Sequence, residues 1–141
     1  MRKIFSLLLA SMLFTMAFAQ SADEKAIRKV LYDQTLAWNK GDLNEFMQGY
    51  WNNDSLMFIG KNGVTYGWNF TLKNYQENYP TTDDMGTLLF NLIKVQRLSP
   101  EYYFVVGEWK LKRRTGDIGG HYNLLFRKIK GKWLIVADHS S

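Results

Sequence analysis

The chain has 141 residues, carries 18 Lys and Arg against 13 Asp and Glu for a net charge of +5, and contains no cysteine. The missing cysteines exclude disulfide staples, thiol nucleophiles and thiolate metal sites, so the fold must rest on packing alone. The length suits one domain, and a small positive charge spread along the chain argues against a dedicated nucleic-acid surface.

The amino-terminal residues read as a targeting segment. Arg2 and Lys3 precede an apolar run from Ile4 to Phe18, and Ala17-Phe18-Ala19 is a small-x-small cleavage site before Gln20. The run is about 15 residues, shorter than the ~20 that a membrane helix requires. With no cysteine after it, a lipid anchor is excluded. The expectation is export, with residues 1–19 removed as a signal peptide and residues 20–141 forming the mature domain. That domain is expected to have no membrane span and to be periplasmic or secreted, in a Gram-negative bacterium. Without Arg2 and Lys3, 16 basic residues face 13 acidic ones, so the net charge falls to +3.

Ser21–Lys40 is predicted helical: Ile27, Val30, Leu31, Gln34, Ala37 and Trp38 fall on one face, with Lys25, Arg28, Lys29 and Asp33 opposite. Gly41 suits the left-handed position after a helix, and Asp42-Leu43-Asn44-Glu45 is a capping box for a short second helix presenting Phe46, Met47 and Tyr50. Leu56–Ile59 and Val64–Gly67 are short strands around a Gly60-Lys61-Asn62-Gly63 turn. Trp68–Tyr79 is a third helix, stopped by Pro80. Thr87–Leu98, Tyr102–Arg114, Gly120–Ile129 and Lys132–His139 then form a four-stranded antiparallel meander, divided by Ser99-Pro100-Glu101, Gly116–Gly120 and Lys130-Gly131. The class is α+β, three helices on an antiparallel sheet.

The order of these elements resembles the nuclear transport factor 2-like superfamily, also called SnoaL-like or cystatin-like. The anchors are Trp38-x-x-Gly41-Asp42, Gly67, Gly107-x-Trp109, Gly120-x-Tyr122, and Lys130-Gly131-Lys132-Trp133-x-Ile135-Val136 running into Asp138-His139-Ser140. The resemblance covers essentially all of residues 20–141 and is closest to small, often exported bacterial members of unassigned activity. It implies a cone in which a curved sheet wraps the first helix and leaves an interior cavity. It does not imply one activity, since the superfamily holds isomerases, cyclases, hydrolases, dehydratases and non-catalytic modules. The steroid isomerases carry their base where this chain has apolar Phe58 and Ile59, so that activity is not expected. Tyr122 falls within a residue of their acid donor. The kinase-type association domain lines its pocket with arginines, where this chain has Trp109, Leu124 and Ser140.

Strand alternation sorts the faces. Val105, Gly107, Trp109 and Leu111 are expected inward, as are Tyr122, Leu124 and Phe126. In the last strand the same alternation places Leu134, Val136, Asp138 and Ser140 inside, with Trp133, Ile135, Ala137 and His139 outside; a bulge would exchange Asp138 and His139. The resulting outer stripe of Leu125, Trp133 and Ile135 is expected to be covered in a homodimer, with the N-terminal segment as the alternative cover.

The candidate site is therefore an aromatic pocket with Trp38, Tyr50, Trp68, Trp109, Tyr122, Asp138, His139 and Ser140 as ligand-binding residues. Its expected occupant is a small apolar or amphipathic molecule. In the alternative reading of a small-molecule lyase, isomerase or hydrolase, Asp138, buried among aromatic rings, is the candidate general acid or base, with Tyr122 to polarise a substrate. A third reading is a non-catalytic dimeric interaction module whose cavity is packed core. A carboxylate that merely holds Tyr or Trp donors is the competing role. His121 is expected at the surface, and Asp54 as a cap in the Asn52–Ser55 turn. With two histidines and no nucleotide-binding fingerprint, neither a metal nor a cofactor is expected.

Overall fold

The computed structural model describes residues 22–141. The expected signal peptide and its cleavage point before Gln20 lie outside the described residues. Helix α1 spans residues 22–39, and Ile27, Leu31, Gln34, Ala37 and Trp38 are its buried stripe. Its end is a Schellman motif: Gly41 takes φ 78°, its N–H donates to the Trp38 carbonyl at 2.8 Å, and Asp42 N–H reaches back to Ala37 O at 3.0 Å. Asp42 then caps α2 (Leu43–Phe46) by accepting from Glu45 N–H at 2.8 Å. A 3₁₀ turn, Met47–Gly49, follows.

Strands β1 (Met57–Gly60) and β2 (Gly63–Tyr66) form the short hairpin. Helix α3 is Trp68–Asn78. A one-turn helix, α4 (Thr82–Met85), capped by the Thr81 hydroxyl, lies between α3 and the first long strand, in a stretch for which the sequence predicts no element. The long strands are β3 (Thr87–Ser99), β4 (Tyr102–Lys112), β5 (Ile118–Ile129) and β6 (Lys132–Ser140). Lys130 and Gly131 both have positive φ, 49° and 78°, the requirement of a two-residue type I′ turn between β5 and β6. All six strands form one sheet in the order β2-β1-β6-β5-β4-β3, in which β1 lies parallel to β6 and every other pair is antiparallel. The hairpin thus extends the meander at its β6 edge, and the helices pack on the inner face.

The faces of β6 depart from strict alternation. Phe126 pairs with Ile135 but Leu125 pairs with Ala137, so Val136 is an extra residue, a β-bulge. Before it, Trp133 and Ile135 point inward and are 4% and 0% exposed. After it, the parity is reset and Asp138 and Ser140 point inward too. Leu134 and Val136 therefore lie outside, opposite to the expectation from strict alternation, whereas Asp138 and His139 fall as expected. The cause is energetic: Trp133 and Ile135 fill the core beneath α1, and uninterrupted alternation would have left them wet. The Trp133 ring packs edge-on against Tyr103 at 5.2 Å, and its Nε1 donates to Asp23 at 2.9 Å. No outer stripe of Leu125, Trp133 and Ile135 exists. The outward apolar residues of the central strands are Phe104, Val106, Leu125, Leu134 and Val136, all half-buried.

Candidate functional site

The inner face of the sheet and the helices enclose a cavity of about 110 Å³. One wall is aromatic. Trp38 sits at the end of α1 with its Nε1 donating to Met85 O at 3.1 Å, and meets Phe46, Tyr75 and Tyr79 edge-on at centroid distances of 5.2, 5.8 and 5.0 Å. The opposite wall comes from Leu88, Phe90, Leu111, Tyr122 and Leu124 on the long strands.

A chain of hydroxyls crosses this apolar space. Tyr50, just after the 3₁₀ turn, bridges to Ile135, and Trp51 N–H donates to Ile135 O at 2.9 Å, which ties the segment to β6 beside the bulge. From there the Tyr50 hydroxyl donates to Asp138 Oδ2 at 2.7 Å and lies 3.3 Å from the Tyr75 hydroxyl. Ser140 Oγ donates to Asp138 Oδ1 at 2.7 Å. Asp138 is 4% exposed, and burial raises its pKa from 3.8 to about 6 despite the two O–H donors, which pull the other way. Burial and the carboxylate charge together hold the Tyr50, Tyr75 and Tyr122 phenols above their ordinary value.

Tyr122 completes the arrangement. Its ring lies against Phe90 at 5.2 Å and over Gly107, where a Cβ would fall on the phenol itself and 2.8 Å from Asn91 O. Glycine is therefore required at 107 for the Tyr122 hydroxyl to sit where it does. Among the described residues, that hydroxyl is the one buried side-chain polar atom with no hydrogen-bond partner. A buried O–H without a partner is costly, about 1–3 kcal/mol, unless something else occupies its bonding position.

Of the residues expected at the pocket, Trp38, Tyr50, Trp109, Tyr122, Asp138 and Ser140 line the cavity. Two do not. Trp68 spends its Nε1 on Met47 O at 2.9 Å and braces α3 against the 3₁₀ turn, while His139 points out of the sheet and is exposed. His121 is at the surface, 3.2 Å from Glu108. In the Asn52–Ser55 turn the cap is Asn53, whose Oδ1 accepts from Ser55 N–H at 2.9 Å, rather than Asp54. Tyr75, Tyr79 and Phe46 were not assigned to the pocket from sequence. The spacing Trp68, Leu72, Tyr75, Tyr79 is a helical stripe and carries that signal. No cluster of three or more His, Cys, Asp or Glu side chains that could hold a metal occurs among the described residues. No helix among them is long and apolar enough to cross a membrane.

A crystal structure of an NTF2-like protein of unknown function from Shewanella oneidensis superposes with a TM-score of 0.80 at 41% identity, covering 86% of this chain and 98% of that one. The chain belongs to the NTF2-like family. A cystatin-like domain of unknown function from Nostoc punctiforme matches at 19% identity and TM-score 0.71, over 85% and 76% of the two chains. A ketosteroid isomerase-like protein from Erwinia carotovora matches at 17% and 0.66, over 83% and 93%. These two likenesses are of fold alone. No family model matches the sequence, and no curated protein does.

Proposed function

We propose that this NTF2-like domain binds a small, mostly apolar molecule in the cavity and recognises one polar group on it. The observation that carries this reading is the unpartnered Tyr122 hydroxyl, buried and lining the cavity beside Asp138. A ligand hydroxyl there can accept from Tyr122 and donate to the ionised Asp138. The size of the space limits the occupant: about 110 Å³ is less than the ~150 Å³ hole that admits benzene in an engineered protein core. A single ring fits only if part of it extends toward the mouth.

Phenol and toluene, nearly isosteric, test this by calorimetric titration. Phenol is expected to bind about tenfold tighter, and Tyr122→Phe to remove most of that preference. Equal binding of the two, or binding of neither, contradicts the reading.

A second reading, proton transfer with Asp138 as acid or base and Tyr122 as polariser, is favoured by a carboxyl pKa near 6 inside an apolar site. In that case Asp138→Asn retains phenol binding but abolishes any turnover. The export reading adds a periplasmic or secreted location. It is tested by the intact mass of protein secreted from a bacterial host, which should lack residues 1–19. We also read a homodimer through the outer sheet face, now with Phe104, Val106, Leu125, Leu134 and Val136 as its apolar patch. Val136→Glu should then yield monomers in light scattering, and a monomeric unmutated protein contradicts it.

A further inference from the structure

Beyond the cavity mouth lies a second, wider space of about 420 Å³. It shares Phe58, Tyr75, Tyr79, Trp109 and Ser140 with the inner cavity, so the two are consecutive compartments of one cleft. Their chemistry differs. The inner compartment is aromatic around one carboxyl group, whereas the outer one is lined by Lys61, Arg113, the amides of Asn62, Asn74 and Asn78, and Ser141, whose main-chain oxygen accepts from Trp109 Nε1 at 3.2 Å; among the described residues it has no acidic side chain.

Arg113 is held rigidly there. Its Nε donates to Gly116 O at 2.8 Å and its Nη1 to Asp84 O at 3.4 Å, while its stem packs on Gly86, where a Cβ would come within 2.6 Å of Arg113 Cγ. Its Nη2 donates to nothing among the described residues, and neither Arg113 nor Lys61 is paired with a carboxylate among them. The nearby acids are otherwise engaged: Asp117 accepts from the Arg113 main-chain N–H at 3.1 Å and lies 3.9 Å from Lys110, and Asp83 lies 3.6 Å from Arg114. The guanidinium charge reaches Tyr79, a residue of both compartments. A fixed, partly desolvated guanidinium with a free N–H beside amide donors suits a planar carboxylate better than a neutral group.

We propose that the outer compartment is a carboxylate subsite, and that the molecule whose polar head enters the inner cavity carries a carboxylate on a short tether, held by Arg113 with Lys61. This rests on the cavity reading above and narrows its ligand to an amphipathic monoanion.

The probes are phenol itself, then 4-hydroxyphenylacetate, 3-(4-hydroxyphenyl)propanoate and 4-(4-hydroxyphenyl)butanoate, each beside its neutral amide, titrated calorimetrically into the full domain. At the tether that spans the two compartments, the acid is expected to bind about tenfold tighter than its amide. That ratio should fall toward one in Arg113→Gln, recover in part in Arg113→Lys, and shrink two- to threefold in Lys61→Gln. Lys61→Gln changes an exposed turn residue and keeps the test open should Arg113→Gln fail to fold. Acid and amide binding alike in the unmutated protein, while phenol binds, overturns the carboxylate subsite and leaves the cavity reading standing. So does an acid-to-amide ratio that survives both glutamine variants. If neither phenol nor any member of the series binds, the cavity reading falls and this inference with it.

Discussion

Replacing Asp138 by Asn isolates the electrostatics of the site. The folded state raises the carboxyl pKa from 3.8 to about 6, chiefly through burial. A raised folded pKa means the folded protein holds this proton more tightly than the unfolded chain does. The stability it contributes is complete below the unfolded value and is lost as pH rises through about 6. Across the whole range the shift corresponds to about 3 kcal/mol. Between pH 5 and pH 8 the linkage relation gives about 1.4 kcal/mol in favour of pH 5, a melting shift of about 4–8 °C for a domain of this size. Asn cannot titrate, so the variant should lack this component. The quantity to measure is the difference between the two proteins' pH dependences, which isolates the part that needs a titratable group at 138. At pH 8 Asp138→Asn should be as stable as the parent or more so, since it removes a buried charge; at pH 5 the parent should gain on it by about 1.4 kcal/mol. Parallel melting curves over pH 5–8, with the variant less stable throughout, would show a carboxylate held ionised by Tyr50 and Ser140 and refute the argument.

Three further substitutions probe the surrounding structure. Tyr122→Phe removes an unpartnered buried hydroxyl and should raise ligand-free stability by about 1 kcal/mol in chemical denaturation; a loss of similar size would mean the hydroxyl is already satisfied. Gly107→Ala drives a methyl into the Tyr122 phenol and should cost about 1–3 kcal/mol together with phenol binding. An unchanged melt would place the ring elsewhere. Trp133→Ala should cost about 3–5 kcal/mol, because the bulge at Val136 turns that indole into the core. A cost under about 1 kcal/mol is what an outward Trp133 would give.

The sheet, the helices and the family were legible because periodic burial and turn chemistry are local: Gly41, the Asp42 cap and Lys130-Gly131 each act within a few residues. The site was legible in part. Tyr122 and Trp109 stand on strands whose alternation is readable, and they line the cavity; Asp138 lines it too, but beyond a bulge that the alternation of β6 does not announce. What the sequence hides is a change of parity. Trp133 and Ile135 had to be inside for the core, Asp138 and Ser140 are inside as well, and an uninterrupted strand cannot place both sets inward. Only the three-dimensional pairing of β5 with β6 reveals Val136 as the residue that absorbs the mismatch. Likewise, Tyr75 carries a visible helical spacing, but its contact with Tyr50 depends on how α3 docks on the sheet. Tyr50 in turn depends on a parallel bridge to β6 that nothing local announces. Trp68 lies outside the cavity for a related reason: its N–H donates to the Met47 carbonyl, a contact between α3 and the 3₁₀ turn that depends on docking rather than on local sequence.

The central claim is that the Tyr122 hydroxyl waits for a ligand's polar group inside the cavity. The most direct measurement is a crystal structure of the protein soaked with phenol. The ring is expected between Tyr122 and the Trp38–Tyr75 wall, its oxygen within about 3 Å of both Tyr122 Oη and an Asp138 oxygen. Phenol bound only outside the cavity, or a Tyr122 hydroxyl already bonded to protein in the unsoaked crystal, would contradict it.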